Sequence, residues 1–242
     1  MSSDWQKLDQ HYERARLRED SLDRLVEYPA QRRAMGDING KRILDIACGS
    51  GEKACEWASS GAREVYGFDI SENFVRHWQT EECPKNLRIF RGDLRHIEAI
   101  PELKGKVFDV ITSFQAVGYR EDLTAQFCAI RALLKPGGRF VLSTAHPFRF
   151  VVEKQEATGL PAAMVYRTEG QHDRDSSWKP RLKETSLAVT FSSRINALIN
   201  AGFVLEQMIE PELSASDSRN HPNKKAWMDK YFGIVIYVLR AI

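Results

Sequence analysis

Residues 43–54 read Ile-Leu-Asp-Ile-Ala-Cys-Gly-Ser-Gly-Glu-Lys-Ala and decide the fold class. The apolar start of this stretch predicts a strand that is buried on both faces, as in a parallel sheet. Gly49 and Gly51 then allow the backbone to turn sharply and to approach a ligand closely. A helix is predicted to begin near Glu52, with Ser50 as its N-cap, so its amides and its dipole face the turn.

Two classes of ligand use a strand, a glycine turn and a helix in this way. The spacing of Gly49, Gly51 and Ala54 satisfies the fingerprint of dinucleotide-binding folds, in which a pyrophosphate lies at the helix N-terminus. Asp45 and Glu52 would crowd negative charge around that pyrophosphate, which is unfavourable in a cleft of low dielectric. The same carboxylates attract a ligand with an ammonium and a sulfonium group. S-adenosylmethionine is such a ligand, so the sequence favours it over a dinucleotide or over a turn that binds nothing.

Two later strands also end in acids. Residues 64–71 form a predicted strand that reaches Asp69, where a carboxylate can accept both hydroxyls of a ribose. Ile70 follows it and is predicted to cover one face of an adenine. Residues 87–94 form the next predicted strand and turn, in which Asp93 is placed to accept a hydrogen bond from an adenine amino group.

The ordered set of these motifs resembles the class I S-adenosylmethionine-dependent methyltransferases, in the broad group that acts on small molecules. The resemblance covers residues 40–145 and extends to 25–30 and 195–203. Ala47 stands where the first loop glycine is commoner in the family. The resemblance implies S-adenosylmethionine as the cofactor and S-adenosylhomocysteine as its product. The matching motifs are Asp45-x-Ala47-Cys48-Gly49-x-Gly51, Asp69, Gly92-Asp93 and Leu134-Lys135-Pro136-Gly137-Gly138.

The fold implied by the resemblance is α/β and Rossmann-like, with helices on both faces of a seven-stranded sheet. Its strand order is predicted to be 3-2-1-4-5-7-6, with only strand 7 antiparallel. Residues 203–210 and 231–240 are the last two predicted strands, and their connection is too short for the usual crossover with a long helix. The cofactor is expected at the carboxyl ends of the strands. Its predicted contacts are Asp45, Ala47, Gly49, Gly51, Asp69, Ile70, Asp93, Leu94, Ser113 and Phe114.

With 242 residues, 43% of them hydrophobic, the chain is expected to form a single methyltransferase domain over residues 1–242. The connection after the fifth strand is far longer than the usual two to six residues, which indicates a functional insertion. A hairpin is predicted within it from residues 163–167 and 183–190, whereas residues 214–223 are expected to form a surface loop. The predicted parts are N-terminal lid helices in 1–35, the cofactor half in 40–145, an inserted substrate cap in 146–190, and a C-terminal helix with a β-hairpin in 191–242.

The N-terminal segment shows the apolar stripe of an amphipathic helix at Trp5, Leu8 and Tyr12. Such a helix closes over the cofactor or packs against the edge of the sheet, and the sequence leaves both possibilities open. Arg16 and the neighbouring arginines are predicted to form a solvated face, although one of them could meet the cofactor's carboxylate.

Methyl transfer displaces a thioether, which needs no acid, so the protein positions the nucleophile, excludes water and supplies a base where the acceptor carries a proton. His146, just past the fifth strand, is the predicted base because imidazole titrates near neutrality. A structural hydrogen bond from this histidine is the alternative. Tyr12 is the second catalytic candidate. The predicted substrate contacts are His11, Tyr119, Phe148 and Trp178.

Composition restricts the partners. The formal net charge of +2 shows no excess of basic residues, which disfavours a nucleic acid as partner. The four cysteines have no metal-ligand spacing, so no metal site is predicted, and they indicate a reduced, cytoplasmic location. No stretch approaches the roughly 20 apolar residues that span a membrane. We expect a monomer or homodimer that methylates an O, N or C nucleophile of a small organic molecule.

Two other functions stay open at this point. A methyltransferase acting on RNA or protein would need a basic rim around its cleft. A nicotinamide-dependent enzyme, or a non-catalytic protein that binds a nucleotide, would use the same glycine turn for another ligand.

Overall fold

The computed structural model describes residues 11–80, 83–117, 122–175 and 183–242. Its main element is a seven-stranded sheet in the order β3-β2-β1-β4-β5-β9-β8, beside a separate hairpin of β6 and β7. The strands are β1 (Arg42–Ile46), β2 (Glu64–Asp69), β3 (Leu87–Arg91), β4 (Phe108–Phe114), β5 (Leu134–Ala145), β6 (Gly170–Asp175), β7 (Lys183–Ala188), β8 (Phe203–Ile209) and β9 (Ile234–Ala241).

Helices cover both faces of this sheet and its carboxyl edge. Among the described residues, no helix is both long enough and apolar enough to cross a membrane. The helices are α1 (11–16), α2 (Tyr28–Met35, preceded by a π-helical turn at Asp23–Glu27), α3 (Glu52–Ser59), α4 (Glu72–Thr80), α5 (Leu123–Arg131), α6 (Pro147–Thr158), α7 (Ala162–Arg167), α8 (Phe191–Asn200), α9 (Ala215–Asn220) and α10 (Pro222–Tyr231), with 3₁₀ turns at Leu94–Ala99 and Pro101–Leu103.

The topology confirms the predicted class I methyltransferase sheet. Strand β9 is antiparallel to both β5 and β8, whereas β1 to β5 pair in parallel. Numbered within the sheet alone, the order is the predicted 3-2-1-4-5-7-6. Since β8 therefore runs parallel to β5, the carboxyl ends of β1, β2, β4, β5 and β8 lie along one edge.

The core forms one layer on each face of the sheet, because successive strand residues point to opposite sides. Phe140 and Leu142 of β5 pack toward α5 and α8, while Val141 between them packs toward α2 and α3. The second layer includes Trp57, which is fully buried. Burying a large apolar side chain of this kind stabilises the fold by roughly 1.5–3 kcal/mol. The two layers hold the strand ends, and hence the site, in a fixed arrangement.

The inserted segment contains two helices before its hairpin, so the prediction of a strand at residues 163–167 is wrong. Those residues lie in α7, which begins after Pro161, and the first strand of the hairpin is β6. The local apolar run misled the sequence reading because a short run cannot distinguish a helix from a strand. In the helix only Val165 is buried, while Met164 is 58% exposed.

The connection between the last two strands is also helical, which corrects the predicted loop at 214–223 and the predicted strand start at 231. Ser214 caps α9 by accepting a hydrogen bond from the backbone N–H of Asp217 at 3.0 Å, and Pro222 opens α10. Neither helix buries a residue, so the sequence carries no helical apolar period there. The C-terminal part therefore holds three helices and the antiparallel pair of strands.

Candidate active site

The glycine loop after β1 has a left-handed backbone at alternate residues. Ala47, Gly49 and Gly51 have φ angles of 55°, 58° and 71°. The first helical residue of α3 follows Gly51, which takes the N-cap position, so the prediction of Ser50 as the cap is wrong. Ser50 is held by its side chain instead, since its Oγ donates a hydrogen bond to Glu13 of α1. The alternation turns successive backbone amides toward the carboxyl edge.

Asp69 fixes the loop from the neighbouring strand. It is the last residue of β2, and its carboxylate accepts the backbone N–H of Gly49 and that of Ser71, each at 2.9 Å. The side chain is 8% exposed. These two hydrogen bonds fix the glycine loop and the residue after β2 to one carboxylate.

Asp45 lies one strand away, with 3% of its surface exposed. Its Oδ1 accepts a hydrogen bond from Thr112 Oγ1 at 2.7 Å. Burial raises the pKa of Asp45 to about 7, although the Thr112 hydrogen bond and the Lys53 ammonium act in the opposite direction. A cationic ligand above this carboxylate would favour its ionised form.

Asp93 occupies a different environment from the one predicted. It caps the 3₁₀ turn by accepting the backbone N–H of Arg95 at 2.9 Å, and its Oδ2 lies 2.5 Å from Arg95 Nη2. The guanidinium holds the pKa of Asp93 below its usual range despite partial burial. An adenine amino group that donated to Asp93 would therefore bind a carboxylate that already accepts hydrogen bonds from Arg95.

The other predicted cofactor contacts lie at the same strand ends. Phe114, at the end of β4, is half-buried and meets Trp57 edge-on at 6.2 Å between ring centroids. Ser113 is fully buried, and its Oγ has no hydrogen-bond partner among the described residues. Leu94 is 7% exposed, while Ile70 is half-buried beside Asp69.

Arg16 ties α1 to the glycine loop, which corrects its predicted place on a solvated face. Its guanidinium donates to Glu13 at 2.9 Å and to Ser50 Oγ at 3.3 Å, and it lies 3.2 Å from Glu52. The side chain is only 12% exposed. A third acid, Asp23, is 3.3 Å away. Helix α1 is thus held against the loop by charge, while Trp5 and Leu8 of the predicted apolar stripe lie outside the described residues.

Carboxylates around the loop outnumber the cations. Lys53 of α3 pairs with Asp23 at 2.8 Å and lies over the ring of Phe114 at 5.4 Å. The resulting excess of negative charge favours a cationic ligand and opposes a phosphate. The carboxylates are Glu13, Asp23, Glu27, Asp45, Glu52 and Asp69, and the cations are Arg16 and Lys53.

Comparison with known proteins places this arrangement in a family. The family profile described as "Methyltransferase domain" matches residues 44–142, which include the glycine loop, β2 to β4 and most of β5. An uncharacterized protein of Haemophilus influenzae is 32% identical over 84% of this chain and 83% of its own length. The chain belongs to the class I S-adenosylmethionine-dependent methyltransferases. It is therefore an enzyme, and S-adenosylmethionine is its cofactor.

Relatives with named substrates match about half of this methyltransferase. A demethylmenaquinone methyltransferase of Lactococcus lactis is 35% identical over 47% of this chain and 46% of its own. A tRNA U34 carboxymethyltransferase of Idiomarina loihiensis is 29% identical over 51% of this chain and 37% of its own. The structure of an S-adenosylmethionine-dependent methyltransferase from Mesorhizobium loti shares the fold, with a TM-score of 0.68 and 24% identity over 88% of this chain and 97% of that one.

The residues of the methyltransferase site fit this cofactor. The ligand carries a sulfonium and an ammonium group, and the excess of carboxylates around the loop supplies the complementary charge. Asp69 is the residue that would hold the ribose, and the amides after Gly51 would face the ligand. Bound there, S-adenosylmethionine supplies an activated methyl group.

The pKa of Asp45 makes cofactor affinity depend on pH. Near pH 6 the buried carboxyl is largely protonated, and binding a cation must expel that proton. We expect the affinity for S-adenosylmethionine to rise about tenfold from pH 6 to pH 8, as the carboxyl ionises on its own. Isothermal titration calorimetry across this range should show the rise in wild-type protein, and Asp45→Asn should flatten it.

The same shift has the opposite effect on the stability of the ligand-free protein. Between pH 4 and pH 7 the folded state keeps a proton on Asp45 that the unfolded chain has released, so the free energy of unfolding falls as pH rises. Asp45→Asn should remove the contribution of Asp45 to this fall and leave that of Glu27, whose pKa is also raised to about 7, whereas the exposed Asp37→Asn should leave the whole fall unchanged. An unchanged pH profile in Asp45→Asn, for both affinity and unfolding, would contradict the assignment.

His146 is buried, with 1% of its surface exposed, and both ring nitrogens are engaged. Nδ1 accepts the backbone N–H of Phe148 at 3.2 Å, and Nε2 lies 2.6 Å from Glu210 Oε1. An Nδ1 that accepts leaves the proton on Nε2, which donates to Glu210. This geometry caps α6 and joins it to the end of β8. It supports a positioning role in place of the predicted base, because no ring nitrogen is left to take a proton.

An aromatic cluster surrounds His146 at the carboxyl edge. Phe232 stacks on the imidazole at 5.0 Å between centroids, and Phe191 meets it edge-on at 5.3 Å. Phe148 contacts Tyr166 of α7 at 5.4 Å and is itself 40% exposed. The predicted substrate contact Phe148 thus lies in a partly open apolar surface. Two other predicted contacts, Tyr119 and Trp178, lie outside the described residues.

The remaining catalytic and substrate candidates lie on α1. Tyr12 is partly buried on α1, and burial together with the charge of Asp23 raises the pKa of its phenol further above its usual range. The phenol can therefore donate a hydrogen bond but is a poor base at neutral pH. His11 is half-buried next to it.

Sequence reasoning missed Glu27 as a candidate functional residue. Gln115, which follows β4 with a φ of 62°, donates from Nε2 to Glu27 Oε2 at 3.4 Å. Burial, aided by the charge of Asp23, raises the pKa of Glu27 to about 7. The available signal was a lone carboxylate within the mostly apolar stretch 25–30.

Proposed function

We propose that this methyltransferase transfers a methyl group to an O, N or C nucleophile of a small organic molecule. The observation that carries the proposal is the aromatic cluster around His146, formed by Phe148 and Tyr166 of the inserted segment, by Phe191 of α8 and by Phe232 before β9. Flat apolar rings suit a compact substrate with an apolar body.

The charge of the site supports a small molecule over a nucleic acid. Carboxylates predominate around the glycine loop, and a phosphate backbone would be repelled there. The relatives with named substrates include a small-molecule enzyme, the demethylmenaquinone methyltransferase, and a nucleic-acid enzyme, the tRNA U34 carboxymethyltransferase. The local charge and the aromatic cap favour the first class for this chain.

Methyl transfer is an in-line displacement in which the carbon–sulfur bond breaks as a bond to the acceptor forms. The leaving thioether needs no proton, so the protein contributes alignment and exclusion of water. The cap helices and α1 cover the edge from two sides. Where the acceptor carries a proton, Glu27 is the residue proposed to receive it. Its carboxylate, in the π-helical turn before α2, is hydrogen-bonded to Gln115 just after β4, and a carboxyl with a pKa of about 7 can act as a base near neutral pH.

With S-adenosylmethionine at saturation, Glu27→Gln should therefore lower turnover by roughly 10²–10⁴-fold and remove the acidic limb of the kcat profile near pH 7. His146→Ala is the variant for comparison, since it removes the base that the sequence predicts. It should lower the midpoint of thermal unfolding by loss of the α6 cap and of ring packing, at about 2–4 kcal/mol. Its turnover per folded molecule should fall less than tenfold. The reverse pattern, with the acidic limb lost only in His146→Ala, would restore the histidine as base.

The acceptor class can be tested with methyl-labelled S-adenosylmethionine and a cell extract divided into small molecules, RNA and protein. We expect label in the small-molecule fraction, with none when Asp69→Ala replaces the wild-type enzyme. Label confined to RNA or protein would overturn the proposal.

A further inference from the structure

Arg194 is a buried guanidinium, and no described carboxylate is hydrogen-bonded to its Nε or Nη1. It lies in the first turn of α8 and is 3% exposed. Its Nε and Nη1 have no hydrogen-bond partner in the part of the chain that the structure describes. Burial lowers the pKa of Arg194, yet arginine stays charged at any physiological pH. An uncompensated buried charge is costly, so this position is unusual for a merely structural residue.

The nearest acid does not neutralise it. Glu169 acts on Arg194 electrostatically, but its Oε1 accepts from the backbone N–H of Thr190 at 2.8 Å and from Thr190 Oγ1 at 2.6 Å. Ser193 adds a further hydrogen bond to it. The Glu169 carboxylate therefore accepts hydrogen bonds from three donors at the N-terminus of α8.

A second donor lies beside the guanidinium. Tyr237 of β9 is fully buried, and its hydroxyl also lacks a hydrogen-bond partner among the described residues. Arg194 and Tyr237 act on each other electrostatically, and Tyr166 and Glu210 lie within the same range of Tyr237. Burial raises the pKa of Tyr237 to about 12, so its O–H remains a donor. Three donor atoms, Nε and Nη1 of Arg194 and the hydroxyl oxygen of Tyr237, thus have no acceptor among the described residues.

Helix α8 connects Arg194 to the aromatic cluster. Phe191 and Arg194 are three residues apart on α8, so they share a helix face. Phe191 contacts His146 at 5.3 Å and Phe148 at 6.1 Å, and its backbone N–H donates to Tyr166 Oη at 3.0 Å. The first turn of α8 lies at the carboxyl edge of the sheet. This follows because β8 runs parallel to β5, so the helix that leads into β8 starts at the edge where these strands end. The aromatic cluster lies at the same edge.

We propose that the methyl acceptor carries a carboxylate, and that Arg194 and Tyr237 bind this carboxylate beside the aromatic cluster. The proposal rests on the proposed function and narrows its substrate class to apolar or aromatic carboxylic acids. A planar carboxylate matches the paired N–H groups of a guanidinium and can accept the phenol O–H as well. The apolar body of the acceptor then lies among Phe148, Phe191 and Phe232.

The test uses the full chain saturated with S-adenosylhomocysteine and three acids, benzoate, cinnamate and octanoate, each compared with its primary amide by calorimetry. For at least one pair we expect wild-type protein to bind the acid at least tenfold more tightly than the amide. Arg194→Met should bring that ratio near one, and Tyr237→Phe should reduce it about threefold or more. Arg131→Met is the matched control, because Arg131 ends α5 at the opposite edge of the same helical layer, and it should keep the wild-type ratio.

A thermal measurement keeps the test independent of folding defects. Arg194→Met replaces an unpaired buried charge with an apolar chain of similar volume, so its unfolding midpoint without acid should equal or exceed that of wild type. The acid that binds should raise the midpoint of wild-type protein and not that of Arg194→Met. No preference for any acid over its amide, an equal preference in Arg194→Met, or the same midpoint rise with chloride alone would each overturn the carboxylate site. Failure of S-adenosylhomocysteine to bind at all would instead contradict the cofactor site.

Discussion

Asp69→Ala should weaken the binding of S-adenosylmethionine by about a hundredfold or more. Two ribose hydrogen bonds to a charged acceptor contribute about 1.5–3 kcal/mol each, and both are lost with the carboxylate. The same carboxylate accepts the backbone N–H groups of Gly49 and Ser71 at 2.9 Å, so its removal also releases the glycine loop. Calorimetric titration with S-adenosylmethionine measures the loss directly.

A matched pair of variants separates the ribose contact from the support of the loop. Asp69→Asn keeps one side-chain oxygen for a backbone amide but loses the charge, and we expect an intermediate loss of affinity. Asp93→Ala removes a carboxylate that is paired with Arg95 at 2.5 Å, so its effect should be the smaller one. Unchanged affinity in Asp69→Ala would remove this residue from the cofactor site.

The fold could be predicted from the sequence because its determinants are local and periodic. The buried strands, the glycine turn at 47–51 and the acids at strand ends lie within short windows. Together they carry the family resemblance, and the sheet order was predicted from that resemblance. The secondary structure of the inserted cap was harder to predict from the sequence. The Met164-Val165-Tyr166 run fits a strand or a helix equally well, and the helices between β8 and β9 bury nothing that would show a period.

The site was predictable only where the chemistry follows from a motif. Asp45 and Asp69 lie where the strand ends place them. Arg16 and Glu27 depend on contacts between segments far apart in the chain, such as Arg16 with Glu52 at 3.2 Å and Gln115 with Glu27 at 3.4 Å. Arg194 could have been found, because it occupies an apolar-face position in the helical series Phe191, Arg194, Ile195 and Leu198.

The glycine loop also depends on the packing of Trp78, which the sequence did not reveal. Its indole N–H donates to the backbone carbonyl of Ser50, and the ring covers Gly51. A Cβ on Gly51 would lie 2.5 Å from Trp78 Nε1 and closer still to Ile89 Cδ1. The absence of a side chain at Gly51 is therefore required by a close approach as well as by its φ of 71°.

Gly51→Ala should destabilise the protein by about 2–4 kcal/mol, from left-handed strain of about 1 kcal/mol and from overpacking of about 1–3 kcal/mol. It should also abolish measurable binding of S-adenosylmethionine, because the displaced indole and loop lie where α3 begins. Gly105→Ala is the matched control, since Gly105 has a φ of 70° and an added Cβ there meets nothing within 4 Å. Its cost should be limited to the strain, and its cofactor affinity should match wild type. Equal unfolding midpoints for the two variants would show that backbone conformation alone, and not the contact with Trp78 and Ile89, requires glycine at position 51.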